Sequence, residues 1–75
     1  MRSLTFTTWL SRQRTRDDAV GDLARDAARD RCFPRRGDLT RYRAHLDTYD
    51  ACDAARETLI DAWREFTQWT HATSS

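Results

Sequence analysis

One apolar stripe runs along the C-terminal part of the chain, in the segment 50–69. Its members recur at alternating intervals of three and four residues: Cys52, Ala55, Leu59, Ala62, Phe66 and Trp69. This spacing places them on one face of an α-helix, which at 1.5 Å per residue would be roughly 30 Å long. That length is about the width of a small domain, so we expect the rest of the chain to pack against this helix.

Two shorter helices are predicted near the N-terminus. The first has Ser3 or Thr5 as its N-cap and ends near residue 13, and the second begins after an N-cap at Asp17 or Asp18. Gly21 lies inside the second helix, where it costs about 1 kcal/mol relative to alanine. We therefore expect a neighbouring backbone or aromatic ring to pack closely there. The apolar faces are formed by Phe6, Trp9 and Leu10, and by Val20, Leu23, Ala24 and Ala27.

A corner is predicted at 32–34, where Pro34 ends helical structure and Phe33 is free to wedge between helices. Residues 35–37 form a loop, and Asp38 caps a third helix that a short turn at about 48–50 joins to the long helix. The buried side of the third helix is formed by Leu39, Tyr42, Leu46 and Tyr49. Cys32 and Cys52 are too few for a disulfide scaffold, and we expect buried, reduced thiols.

These segments predict one all-α domain of four helices over residues 1–75, with its core in residues 3–69 and a frayed tail at 70–75. Seventy-five residues leave little room for both a core and a deep pocket. The predicted core consists of Phe6, Trp9, Leu10, Val20, Leu23, Phe33, Tyr42, Leu46, Leu59, Trp63 and Phe66.

Several of these residues also match a known family. They are the segment 18–26, Asp30 with Phe33 and Pro34, Tyr42 and Leu46, Ala62 and Trp63 with Phe66, and the aromatic first helix from Phe6 to Leu10. The chain resembles the YozE SAM-like family of small bacterial proteins over about residues 3–69, most specifically in Gly-Asp-Leu-Ala followed by Phe-Pro. The resemblance implies a compact four-helix fold similar to sterile-alpha-motif domains, a class that binds proteins and sometimes nucleic acids. The short loop after Pro34 and the dense arginines depart from the family pattern.

The chain lacks the side-chain sets that common catalytic sites need. His45 and His71 are the only candidate bases for a nucleophile, and His45 is expected to be a surface or half-buried histidine. Two isolated cysteines and two isolated histidines do not make a zinc site, and two glycines do not make a phosphate loop. We therefore expect no enzyme, metal, cofactor or small-molecule substrate. No apolar run is long enough for a membrane span or signal peptide, so we expect no membrane partner and a cytoplasmic location.

The charge distribution is uneven and supports two hypotheses. All thirteen basic residues are arginines, and residues 1–43 hold eleven of them against six acids, whereas residues 44–75 hold two against six. The favoured hypothesis is an interaction module that binds a protein partner, or a second copy of itself, through an acidic ridge on the long helix. The ridge residues are Asp53, Glu57, Asp61 and Glu65, with Ile60 as an apolar anchor beside them.

The alternative hypothesis is a nucleic-acid-binding domain that uses the arginine-rich N-terminal half. Its contacts would come from the least neutralised cations, which are Arg12, Arg14 and Arg16 and the loop pair Arg35 and Arg36. The net charge of only +1 and the acidic C-terminal half weigh against it.

Overall fold

Four α-helices account for most of the chain in the computed structural model, which describes residues 4–48 and 53–73. They are α1 (Phe6–Ser11), α2 (Ala19–Arg29), α3 (Leu39–Thr48) and α4 (Asp53–Thr73), and these described ranges contain no strand. The all-α prediction with a longer C-terminal helix is confirmed. No helix among them is both long enough and apolar enough to cross a membrane.

The helix starts are fixed by short polar side chains. The Thr5 hydroxyl accepts from the Thr8 amide at 3.2 Å at the start of α1, and the Asp18 carboxylate accepts from the Gly21 amide at 2.9 Å at the start of α2. Asp38 accepts from the backbone of α3 in the same way. These three predicted caps are confirmed, whereas Ser3 lies outside the described residues.

The two ends of α4 differ from the sequence expectation in different ways. The helix continues to Thr73, four residues past the Trp69 at which the apolar stripe ends. Trp69 itself is 36% exposed, with its ring 6.5 Å from that of Phe66, because α4 runs on beyond the aromatic cluster around Phe6. At the other end, Tyr49, Cys52 and most of the predicted turn at 48–50 lie outside the described residues.

An aromatic core sits where α1, α2 and α3 pack on α4. The Phe6 ring lies at its centre, 4.8 Å from the Tyr42 ring, 5.2 Å from Trp63 and 5.6 Å from Phe66. Tyr42 and Leu59 are fully buried. Every predicted core residue belongs to this cluster, with Leu46, Trp63 and Phe66 partly buried, and Ala24 and Ala62 join it. The radius of gyration of 11.9 Å is close to the value of about 11 Å expected for a compact domain of this length.

Phe33 closes the core at the α2–α3 corner, as predicted. Its side chain is 8% exposed, and its ring lies 5.5 Å from both the Tyr42 ring and the His45 ring. The Thr7 hydroxyl donates to the Pro34 carbonyl and lies 2.8 Å from the Tyr42 hydroxyl, which fastens the corner to α1 and α3.

The prediction of a buried Cys32 is wrong. Its thiol is exposed, because Phe33 takes the inward position and the turn leaves the neighbouring side chain outside. The Cys32 amide donates to Asp30 Oδ1 at 2.9 Å, which fixes this turn.

Gly21 lies against the loop that joins α1 and α2. A β-carbon at this position would fall 2.1 Å from the carbonyl oxygen of Arg16. The expectation that a neighbouring backbone packs closely on this glycine is confirmed.

Candidate functional site

The acidic ridge predicted on α4 is divided by ion pairs within the chain. Asp53 Oδ1 accepts from Arg56 Nη1 at 3.0 Å, and Asp47 Oδ1 accepts from Arg56 Nε at 2.7 Å. These carboxylates, Asp47 foremost, raise the pKa of Arg56. Glu57 and Asp61 are exposed and have no ion pair within residues 4–48 and 53–73.

Arg16 forms an ion pair with Glu65, at the other end of the ridge. Its guanidinium contacts Glu65 through two bonds, Nη1 to Oε1 at 2.7 Å and Nη2 to Oε2 at 3.1 Å, and it also contacts Asp18 at 2.7 Å. These bonds raise the pKa of Arg16, and the bond from Arg16 lowers the pKa of Asp18. The expectation that Arg16 is among the least neutralised cations is therefore wrong, and Glu65 is occupied by its own chain.

A groove between α2 and α4 adds apolar surface beside the free carboxylates. Its volume is about 290 Å³, and it is lined by Ala19, Asp22, Leu23, Asp26, Ala54, Ala55 and Thr58. Asp22 and Asp26 form its α2 rim, and Asp22 is paired with Arg25, three residues further along the helix. Asp26 and Arg29 have the same spacing but form no pair in the part of the chain that the structure describes.

The α4 rim of this groove is also acidic. Residues three and four apart are neighbours on a helix surface, so Glu57 and Asp61 lie next to Ala54 and Thr58. Ile60 is half-buried and, three residues before Trp63, lies on the other side of α4. The groove was not predicted from the sequence, although the alanines at 19, 54 and 55 are a signal of close helix approach.

The arginines proposed for nucleic-acid binding belong to two separate loops. Arg12 and Arg14 are exposed in the connection after α1, where Arg14 Nε donates to the Ser11 carbonyl at 2.8 Å. Arg35 and Arg36 are exposed in the α2–α3 connection. The two connections lie at opposite ends of α2, whose 11 residues span about 16 Å. The predicted set is therefore not a single surface.

His45 has a partner that the sequence did not indicate. Its Nε2 lies 2.6 Å from Asp30 Oδ2, and its side chain is only 10% exposed. The bond to His45, followed by the Cys32 amide, lowers the pKa of Asp30. This contact joins the end of α2 to α3. No cluster of three or more potential metal ligands occurs in the described ranges.

The geometry defines a small all-α domain with charged helix and loop surfaces and a shallow groove between α2 and α4. Residues 5–68 match the model of the family described as the YozE SAM-like fold, and the chain belongs to that family. The resemblance seen in the sequence is thus confirmed. Small helical domains of this family are generally not enzymes. Comparisons with curated proteins and with solved structures found no match.

Proposed function

We propose that the chain is a non-enzymatic interaction module that binds a basic surface, on a protein partner or on a second copy of itself, through the groove between α2 and α4. One observation carries this proposal: Leu23 and three alanines line the groove beside Asp22 and Asp26 of α2. Helical spacing puts Glu57 and Asp61 next to its α4 side. Asp26, Glu57 and Asp61 have no ion pair within the described residues, so their charge is open to a partner.

The groove has the composition of a small protein-binding site. An apolar strip can accept an aliphatic or aromatic anchor, and carboxylates at its edges attract lysine or arginine side chains around that anchor. Rim charges mainly raise the association rate and exclude acidic competitors. A groove of about 290 Å³ on a domain of this size supports a small interface, so we expect weak and salt-sensitive binding.

The proposal is tested by changing each rim and the lining separately. Asp26→Arg reverses one charge on the α2 rim, and Asp61→Arg reverses one on the α4 rim. Ala54→Gln fills the lining without changing the charge. The matched control is Asp17→Arg, because Asp17 is exposed and unpaired among the described residues but lies in the α1–α2 connection.

Sedimentation at rising protein concentration reports self-association, and cross-linked capture reports a partner. All three groove variants should weaken the complex, whereas Asp17→Arg should leave it intact. A chain that stays monomeric at millimolar concentration and low salt, with every captured partner retained by the groove variants, would show that these carboxylates form only a solvated face.

A further inference from the structure

Five exposed arginines surround the connection between α2 and α3. We call this set the arginine corner; its members are Arg29, Arg31, Arg35, Arg36 and Arg41. None of them is ion-paired within the residues that the structure describes. The corner is distinct from the groove between α2 and α4.

The backbone that carries these arginines is held in place. Phe33 is buried in the core, and the Pro34 carbonyl accepts from Thr7 on α1. Gly37, at φ 133°, lies so close to Arg41 that a β-carbon would fall 2.5 Å from Arg41 Cδ. Cations on a fixed backbone lose less conformational entropy on binding than cations on a flexible loop.

The local charge of the corner is strongly positive. Residues 29–43 contain six arginines and two aspartates. Asp30 is bonded to His45 and the Cys32 amide, and Asp38 caps α3. Because charges beyond about 8 Å are screened at physiological salt, a ligand at the corner responds to this local excess rather than to the net charge of +1.

We infer that the arginine corner binds the phosphate backbone of a double-stranded nucleic acid without reading its sequence. The planar guanidinium group of arginine can donate two N–H bonds to the oxygens of one phosphate, and the release of counterions condensed on the nucleic acid supplies the affinity. An acidic protein fits less well, because protein interfaces need an apolar core, and here Phe33 is buried and Pro34 half-buried. A single strand fits less well too, because no aromatic side chain is exposed in residues 29–43 to stack on its bases.

The test measures binding to a short mixed-sequence DNA duplex by fluorescence anisotropy as salt is raised. With four or five phosphate contacts, log K should fall against log salt with a slope of about −4, or roughly two orders of magnitude between about 50 and 200 mM. The double variant Arg35→Gln, Arg36→Gln should reduce that slope by about 2. The single strand of the same sequence should bind more weakly.

The matched control is Arg12→Gln, Arg14→Gln, which removes the same charge at the other end of α2. It should leave the slope unchanged; an equal loss would show that binding follows total charge and not the corner. Absence of duplex binding at low salt would overturn the inference. Competition by poly-aspartate that is as effective as competition by DNA would also overturn it, and so would self-association that the Arg35 and Arg36 substitutions abolish. Either result would assign the corner to an acidic protein.

The groove variant Asp61→Arg separates this inference from the proposed function. It replaces a negative charge on α4, outside the corner, by a positive one and should not weaken duplex binding. Either surface can therefore fail its test while the other passes.

Discussion

Replacing Gly21 by alanine is expected to destabilise the domain, although alanine is the better helix former. The added β-carbon would fall 2.1 Å from the Arg16 carbonyl oxygen and 2.8 Å from its carbonyl carbon. Both are backbone atoms, so no side-chain rotation relieves the overlap. The loop is also clamped, because Arg25 Nη1 donates to the Arg14 carbonyl at 2.7 Å and to the Arg16 carbonyl at 3.1 Å.

The size of the effect follows from two opposed contributions. Alanine gains about 1 kcal/mol of helix propensity over glycine. Against this, an ordinary carbon–oxygen contact is about 3.3 Å, so the loop must move by about 1 Å. Overpacking of this kind costs about 1–3 kcal/mol, and a hydrogen bond lost from the clamp costs about 1 kcal/mol more. We expect a net loss of about 2 kcal/mol, which lowers Tm by about 8–16 °C in a domain of this size.

Thermal and denaturant unfolding followed by far-UV circular dichroism measure this change. The control Ala28→Gly, on the exposed face of α2, measures the difference in helix propensity between alanine and glycine. It should lower the free energy of unfolding by at most about 1 kcal/mol. In an Arg25→Gln background the clamp is released, so the cost of Gly21→Ala should shrink. A Gly21→Ala variant that melts at or above the temperature of the parent would refute the close-approach argument.

Three further predictions concern the core, stability at low pH, and the ion pair between the α1–α2 connection and α4. Phe33→Ala should cost about 3–5 kcal/mol in denaturant unfolding, and unchanged melting would contradict the wedge. Because the pKa of Asp30 is lowered in the folded state, its carboxylate adds to the free energy of unfolding above the ordinary pKa of 3.8. This contribution is lost as pH falls through the pKa of the folded state. Asp30→Asn should therefore flatten the fall in unfolding free energy below about pH 5, and an unchanged pH profile would refute this. Glu65→Gln should cost up to about 1 kcal/mol because its pair with Arg16 is partly exposed, whereas the unpaired control Glu57→Gln should cost nothing measurable.

The helices and their buried faces could be predicted because they depend on nearby residues. A hydroxyl or carboxylate three residues before a free amide makes a cap, as at Thr5 and Asp18. Apolar residues at intervals of three and four share a face, which is why the predicted core matches the observed cluster. Trp69 obeys the same spacing and is still exposed, because the spacing does not show how far along α4 the other helices pack.

The candidate sites were only partly predictable from the sequence. Asp22 and Arg25 form a pair at a spacing of three residues, but Asp26 and Arg29, at the same spacing, form none among the described residues. Such exposed pairs are worth only about 0.2–0.5 kcal/mol, so their surroundings decide whether they form. The acidic ridge was assigned from the i, i+4 spacing of its carboxylates, and the free arginines from charge counts along the chain. Neither shows which charges meet.

The sequence by itself determined the four helices, narrowed three of their caps to one or two residues each, and determined the side of each helix that faces the core, since these follow from interactions within one helical turn. Only the tertiary structure decided that Arg16 reaches Glu65, 49 residues away, and that His45 meets Asp30. It also placed the groove between α2 and α4. These relations depend on how the helices pack against one another, and packing fixes distances between residues whose separation in the chain carries no information about them.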